Sequence, residues 1–258
     1  MKTIHLHNSV VCYDEYGLEE KPNLQAFLKM WNLEKVLEQV KQDITLVLGW
    51  DGTMLRALRD NYMEARPFLW VNFWHKWFLL NDKNWIWKNN KGFITREYPL
   101  IEVKNKWEKI GTWFNDIHLY SPNGKLIKLD VANSFWSISL SWDGVIISTP
   151  AWSTWHSKSY GWPVLLHDTK GLIITPKWNL TSEPAKVIPD SHPVKIKNTG
   201  RQFELWVNID GVQILESDLW EEVDLEISKS SQKVELLISA EHESNWDNKL
   251  MAEQGFSS

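Results

Sequence analysis

Residues 44–53 read ITLVLGWDGT, a short apolar run that breaks into a glycine-containing turn. An apolar run of this length suits a strand buried on both faces, as in a parallel sheet. The turn leads into a helix-like stretch at 54–59, and a second apolar run, FLWVNF, follows at 68–73. Strand, turn, helix and strand make a βαβ unit. Upstream, LQAFLKMWNLEKVLEQV at 24–40 places Leu24, Phe27, Leu28, Trp31, Val36, Leu37 and Val40 at helical spacing with charges between them. The sequence therefore predicts an α/β N-terminal domain over residues 1–94.

From about residue 95 the hydrophobic period switches to two. Stretches such as IEVK, DIHLY, KLIKLDV, SISL, GVIIST, GLIIT, VKIK, FELWVNI, VDLEI and KVELLI are separated by turn signals such as SPNGK and KNTG. This predicts a β-rich C-terminal domain over 95–238. The polar tail, 239–258, is expected to form a short helix or frayed end that packs back on the first domain.

Composition narrows the function classes. The chain has 258 residues, 43% hydrophobic and 24% charged, as in ordinary soluble domains. A net charge of −5 carries no nucleic-acid footprint. The single cysteine, Cys12, excludes an intrachain disulfide and any multi-cysteine metal site, and fits a reducing cytoplasm. It reads as a small apolar core residue. No stretch approaches the 18 or so apolar residues of a membrane span, and the first residues do not form a signal peptide. One ratio is abnormal: Trp occurs 18 times and Gly only 12 times, whereas Gly alone usually makes up about 7% of a chain.

Three turns carry candidate chemistry. In Gly49-Trp50-Asp51-Gly52-Thr53, between a buried strand and a helix, backbone N–H groups can approach phosphate oxygens at the positive helix end. The carboxylate of Asp51 repels phosphate, so it reads either as a base or acceptor for a hydroxyl, or as a local Asx-turn residue. On this fragment the two readings stand level. In Phe114-Asn115-Asp116-Ile117, adjacent amide and carboxylate groups suit a base edge or ribose hydroxyls, although an ordinary polar turn has the same composition. The third stretch, 141–157, runs from a strand through Thr149-Pro150 into a hydroxyl-dense segment with a helix start at Ser153.

Taken in order, these turns resemble the NAD kinase family. Its pattern is GGDGT, LGVNxGxxGFL, an N-[ED] pair, DGxxxSTPxGSTA, GGP and IDG. This chain has GWDGT at 49–53, LWVNFWHKWFLL at 69–80, FNDI at 114–117, WDGVIISTPAWSTWHS at 142–157, GWP at 161–163 and NIDG at 208–211. The resemblance covers about 44–238. It implies a Rossmann-like first domain similar to those of phosphofructokinases and diacylglycerol kinases. It also implies ATP-dependent phosphorylation of the adenosine ribose 2′-hydroxyl of NAD, with Mg2+ brought in by ATP. By the same resemblance Asp51 is the catalytic residue. The NAD site is lined by Asp51, Gly52, Phe78, Asn115, Asp116, Asp143, Thr154, Trp155, His156 and Ser159. The phosphates or ATP are met by Gly49, Trp50, Gly52, Thr53, His75 and Asp210. His156 stands where many members have Tyr. The expected partners are small nucleotides and further copies of the chain, as a homodimer or homotetramer, with neither nucleic acid nor membrane. Two alternatives remain at this level: a nucleotide-binding pseudokinase, and a lipid or sphingoid kinase, which shares GGDGT but should lack the STPxGST and IDG elements.

Against the family pattern, Trp50, Trp70, Trp74, Trp77, Trp142, Trp152, Trp162 and Trp220 all fall where glycine is expected. UGA is read as Trp in some genetic codes and as Gly in a few bacterial lineages. Translation of a UGA-as-Gly gene with a UGA-as-Trp table would produce this signature. A side chain at position 50 also disfavours the backbone that a phosphate turn needs.

Overall fold

In the computed structural model the described residues are 1–6, 9–13, 38, 40, 42–49, 51–72, 81–82, 92–153, 165–166, 168–179, 184–198, 204–217 and 222–241. The helix expected at 24–40 lies almost wholly outside them. The chain divides into two units, Met1–Tyr98 with Lys233–Ser258, and Pro99–Gln232. No helix among the described residues is long and apolar enough to cross a membrane.

The first unit is built on β1 (Lys2–Leu6), β2 (Ser9–Tyr13), β3 (Thr45–Leu48), helix α1 (Asp51–Asn61), β4 (Phe68–Asn72) and β5 (Asn81–Asp82). β3 pairs in parallel with β2 on one side and β4 on the other, and all four of its residues are buried. That is the reason for its continuous apolar run: a strand flanked on both edges and covered on both faces has no wet side. α1 packs on β2 and β3 through Met54, Leu55, Ala57 and Leu58, spaced one turn apart. β1 is antiparallel to β2, and β5 is parallel to β4. Asn81 ties this sheet together. Its amide nitrogen donates to the carbonyls of Trp70 (3.1 Å) and Leu237 (2.7 Å), and its oxygen accepts from the Ser239 amide (2.7 Å).

The second unit is antiparallel. It contains most of β6 (Phe93–Asn105), then β7 (Glu108–Trp113), β8 (Asp116–Tyr120), β9 (Ile127–Ala132) and β10 (Ser137–Ser148). β11 (Gly171–Asn179), β12 (Lys186–Pro189), β13 (Val194–Asn198), β14 (Leu205–Ile209), β15 (Val212–Ser217) and the first part of β16 (Asp224–Ser239) complete it. Within the unit β13, β9, β10, β8, β14 and β15 lie side by side in that order. Alternate residues, among them Val103, Ile117, Leu119, Val131, Ile147, Ile174, Ile196, Val207 and Leu225, meet in one apolar core. A one-residue slip would turn each strand's apolar set to the other face, so this alternation sets the register.

Two pairs of expected strands merge. SISL and GVIIST form the single strand β10, which pairs with β9 over Ser137 to Trp142 and with β8 from Gly144 onward. VDLEI and KVELLI form the single strand β16: the intervening SKSSQ contains neither Gly nor Pro, and across it the buried positions pass from Leu225 and Ile227 to Ser230, Val234 and Leu236. Polar composition signals a turn only when a residue there can reverse the backbone.

Two hairpins share one backbone geometry. Between β14 and β15 the two loop residues are Asp210 (φ 48°) and Gly211 (φ 74°). Between β6 and β7 they are Lys106 (φ 47°) and Trp107 (φ 76°). Positive φ at both loop residues marks the I′ turn, whose second position strongly favours glycine. Trp107 therefore occupies a glycine conformation, with 83% of its surface exposed. A left-handed backbone costs an L-residue about 1–2 kcal/mol. The Lys195 ammonium, 5.6 Å from the Trp107 ring centre, returns only about 0.5–1 kcal/mol at an exposed site. Strain outweighs contact, so Trp107→Gly is expected to raise stability by about 0.5–1 kcal/mol. Urea unfolding at constant m measures this, and a lowered midpoint would show that the indole contributes more than its backbone costs.

Candidate functional site

The first element of the site is the 49–53 turn. Gly49 has φ 153°, and a Cβ there would lie 2.6 Å from the Thr53 hydroxyl oxygen, so glycine is required. Asp51 begins α1 and Arg59 lies in its last turn, each at the helix end where its charge is favourable. Asp51 is partly buried, and burial pushes its carboxyl up to about 7. One Asp51 carboxylate oxygen and the Thr53 hydroxyl are buried with no hydrogen-bond partner among the described residues. A carboxylate of near-neutral proton affinity, at the start of a helix and with an unengaged oxygen, is equipped to accept a proton from a hydroxyl. Trp70, on β4, is buried and donates its indole N–H to the Gly49 carbonyl at 3.3 Å. A side chain where the family pattern has glycine thus reaches the turn itself.

The second element lies in the second unit, where Asn115 belongs to the connection from β7 to β8 and Asp116 opens β8. Both are buried, Asn115 completely. The Asp210 carboxylate sits against this turn. One of its oxygens accepts from the Asn115 amide (2.8 Å) and the Asp116 amide (3.2 Å), and the other from the Phe114 amide (2.9 Å). The Asp210 amide in turn donates to the Asp116 carbonyl at 3.1 Å. Burial, reinforced by the Asp116 carboxylate, pushes Asp210 up to about 7, against the three amide donors that favour its charge. The side-chain oxygen and nitrogen of Asn115 are both buried without a partner among the described residues.

The third element runs along β10 into its end. Asp143 is partly buried where β10 changes partner, and its carbonyl accepts from the Ser121 amide at 3.2 Å. At the strand end Thr149 donates its amide to the Asn115 carbonyl (2.9 Å) and its hydroxyl to the Phe114 carbonyl (3.1 Å). A short 3₁₀ turn, Pro150–Trp152, follows and closes on Ser153. The Ser153 hydroxyl donates to the Pro150 carbonyl and accepts from the Leu165 amide, each at 2.8 Å; the helix expected to start at Ser153 falls on 154–164, outside the described residues.

Asn115 and Asp116 are thus brought into one hydrogen-bonded group with the distant Asp210, and Thr149 is a fourth member. Thr149 was not among the expected site residues; its only local signal is a hydroxyl directly before proline at a strand end. Trp50, His75, Phe78, Thr154, Trp155, His156 and Ser159 lie outside the described residues. Among the described residues no three His, Cys, Asp or Glu side chains gather to hold a metal ion.

Comparison with known proteins gives a consistent picture. A family model described as the ATP-NAD kinase C-terminal domain matches residues 119–239. An NAD kinase of Treponema denticola is 32% identical, over 75% of this chain and 72% of that protein. One from Sulfurisphaera tokodaii is 31% identical, over 80% and 85% respectively. Among solved structures, the fold matches an NAD kinase from Archaeoglobus fulgidus in complex with ATP, with TM-score 0.70 and 18% identity over 95% of this chain and 98% of that one. It also matches yeast NADH kinase complexed with NADH, with TM-score 0.68 and 21% identity over 84% and 67%.

The position of the Asp51 carboxyl has a consequence for stability. Its folded pKa, about 7, lies above the unfolded value of roughly 3.9. The folded state therefore binds the proton more tightly. The associated stability is complete below the unfolded pKa and is lost as pH rises through 7. Asp51→Asn lacks this ionisation, so its Tm relative to the parent chain should climb between pH 5 and pH 8. Parallel Tm curves across that window would refute the assignment.

Proposed function

The chain belongs to the NAD kinase family, and on that premise we propose that it transfers the γ-phosphoryl group of ATP to the 2′-hydroxyl of the adenosine ribose of NAD, giving NADP and ADP. The observation that carries this reading is Asp51: a carboxyl raised to about 7 by burial, with one oxygen unengaged among the described residues, in a turn that opens a helix. In the step, the 2′-oxygen forms a bond to the γ-phosphorus as the bond from that phosphorus to the β-phosphate oxygen breaks. The hydroxyl proton passes to Asp51. Phosphoryl transfer needs little covalent help, so holding the acceptor in line accounts for most of the work. Magnesium is taken to arrive on the triphosphate, where it neutralises phosphate charge.

The remaining roles follow the motif positions. Asn115 and Asp116 bind the NAD ribose, and the buried amide of Asn115, without a partner among the described residues, supports this. Asp143, Thr154, Trp155, His156, Ser159, Phe78 and Gly52 line the rest of the NAD site. Gly49, Thr53, His75 and position 50 meet the phosphates. The first unit is read as Rossmann-like, supported by the parallel order of β2, β3 and β4 with α1 between β3 and β4.

The tryptophans at 50, 70, 74, 77, 142, 152, 162 and 220 are read as glycines of the natural enzyme. Trp107, in a glycine conformation, supports that reading from outside the motifs. As written, the chain should bind ATP and NAD poorly, because side chains stand where ligand must approach backbone. A coupled assay with ATP and NAD, reading NADP, tests both points. The full-length chain with glycine at those positions should turn over, and Asp51→Asn in it should lose about 10²–10⁴-fold in kcat. Ordinary turnover by the Trp-bearing chain would sink the glycine reading. No NADP from the glycine-bearing chain would sink the kinase reading, and UGG codons at 50, 74 and 152 would end the recoding account.

A further inference from the structure

We infer that Asp210 is a positioning residue for NAD binding, its carboxylate fixing the backbone of Phe114, Asn115 and Asp116 so that the Asn115 side chain is held ready for the ribose. The inference rests on the NAD-site reading above and changes the part that Asp210 plays in it. By resemblance Asp210 stood with the phosphate-binding residues. In the fold both of its oxygens are spent on three consecutive amides, and the residue is buried. A carboxylate turned onto protein amides has no reason to meet a phosphate, which carries the same charge. It acts through the turn.

First, Asp210 is itself held rigidly. It is the first loop residue of a two-residue Asp-Gly hairpin between paired strands, and its own amide is bonded to the Asp116 carbonyl. Second, the turn it grips is tied from the other side, since Thr149 bonds the carbonyls of Phe114 and Asn115. Third, what the clamp presents is costly to keep. A completely buried amide side chain with neither polar atom partnered, among the described residues, costs the fold stability until a ligand supplies the bonds. Such a group persists only where its backbone is over-determined. Asp210 provides the charge-assisted bonds that hold it there.

The test compares Asp210→Asn and Asp210→Ala in the full-length, glycine-bearing chain. Asn keeps the oxygen that serves Asn115 and Asp116, but sets an N–H against the Phe114 amide. Ala leaves three buried donors unmet. KM for NAD should therefore rise about tenfold or more in Asn and further in Ala, with KM for ATP within about twofold and kcat changed less than KM for NAD. A rise in KM for ATP that matches or exceeds the rise for NAD would overturn the inference in favour of a phosphate role. Amide hydrogen exchange of Asp210→Asn in the chain as it stands gives a second readout that needs no turnover and no folded Ala variant. Exchange should quicken at 114–116 while β8 and β14 stay protected; unchanged or uniformly faster exchange would overturn the inference. If the glycine-bearing parent makes no NADP, the kinase reading fails, and the exchange pattern still decides whether Asp210 holds the turn.

Discussion

At the end of β3 the chain must turn within a few residues into α1, and a Cβ at Gly49 would lie 2.6 Å from the Thr53 hydroxyl. This contact sets how the first unit is assembled. β3 lies between β2 and β4, and α1 packs on β2 and β3, so helix and sheet share the one connection. A bulky residue at Gly49 would push α1 off its seat. The same tightness puts Asp51 at the helix start and half-buries it, which is why its proton affinity is near neutral. Packing and candidate chemistry have a common cause there.

The second unit applies a different device to the same problem. Two hairpins and the end of a long strand must be joined without leaving buried amides unbonded. The Asp210 carboxylate takes three of them, and Thr149 takes the two carbonyls beside them. The Asp-Gly loop makes this possible. Asp tolerates the left-handed backbone at φ 48° while its side chain reaches across to the neighbouring turn. Glycine follows it where the loop needs φ 74°. The β6–β7 loop repeats these angles with Trp107 in the glycine place, and it has only an exposed ring and one lysine to offset the strain. The contrast between the two loops separates a residue chosen for its turn from one that merely occupies it.

Much of this was legible along the chain. The period-two pattern located the strands of the second unit, because each buries one face. The continuous run at 44–48 located β3, because that strand has no exposed face. The ordered motifs identified the family and its activity, since GWDGT, FNDI and NIDG follow one another in the order of the family pattern. Less legible were the strand unions in β10 and β16. A local polar stretch looks like a turn unless the pairing partners on either side are known.

The sequence by itself therefore determined the family, the proton-accepting candidate Asp51 and the alternation that builds the second core. These depend on residue type and spacing, which are local. Only the tertiary structure decided what Asp210 touches, that Asn115 is completely buried with its amide unpartnered among the described residues, and that Trp107 bears a glycine backbone. Those facts depend on which distant amide, carbonyl or strand comes to lie beside each residue. Residues separated by 94 to 96 positions meet at Asp210, and no pattern within the chain states that meeting before the strands pair.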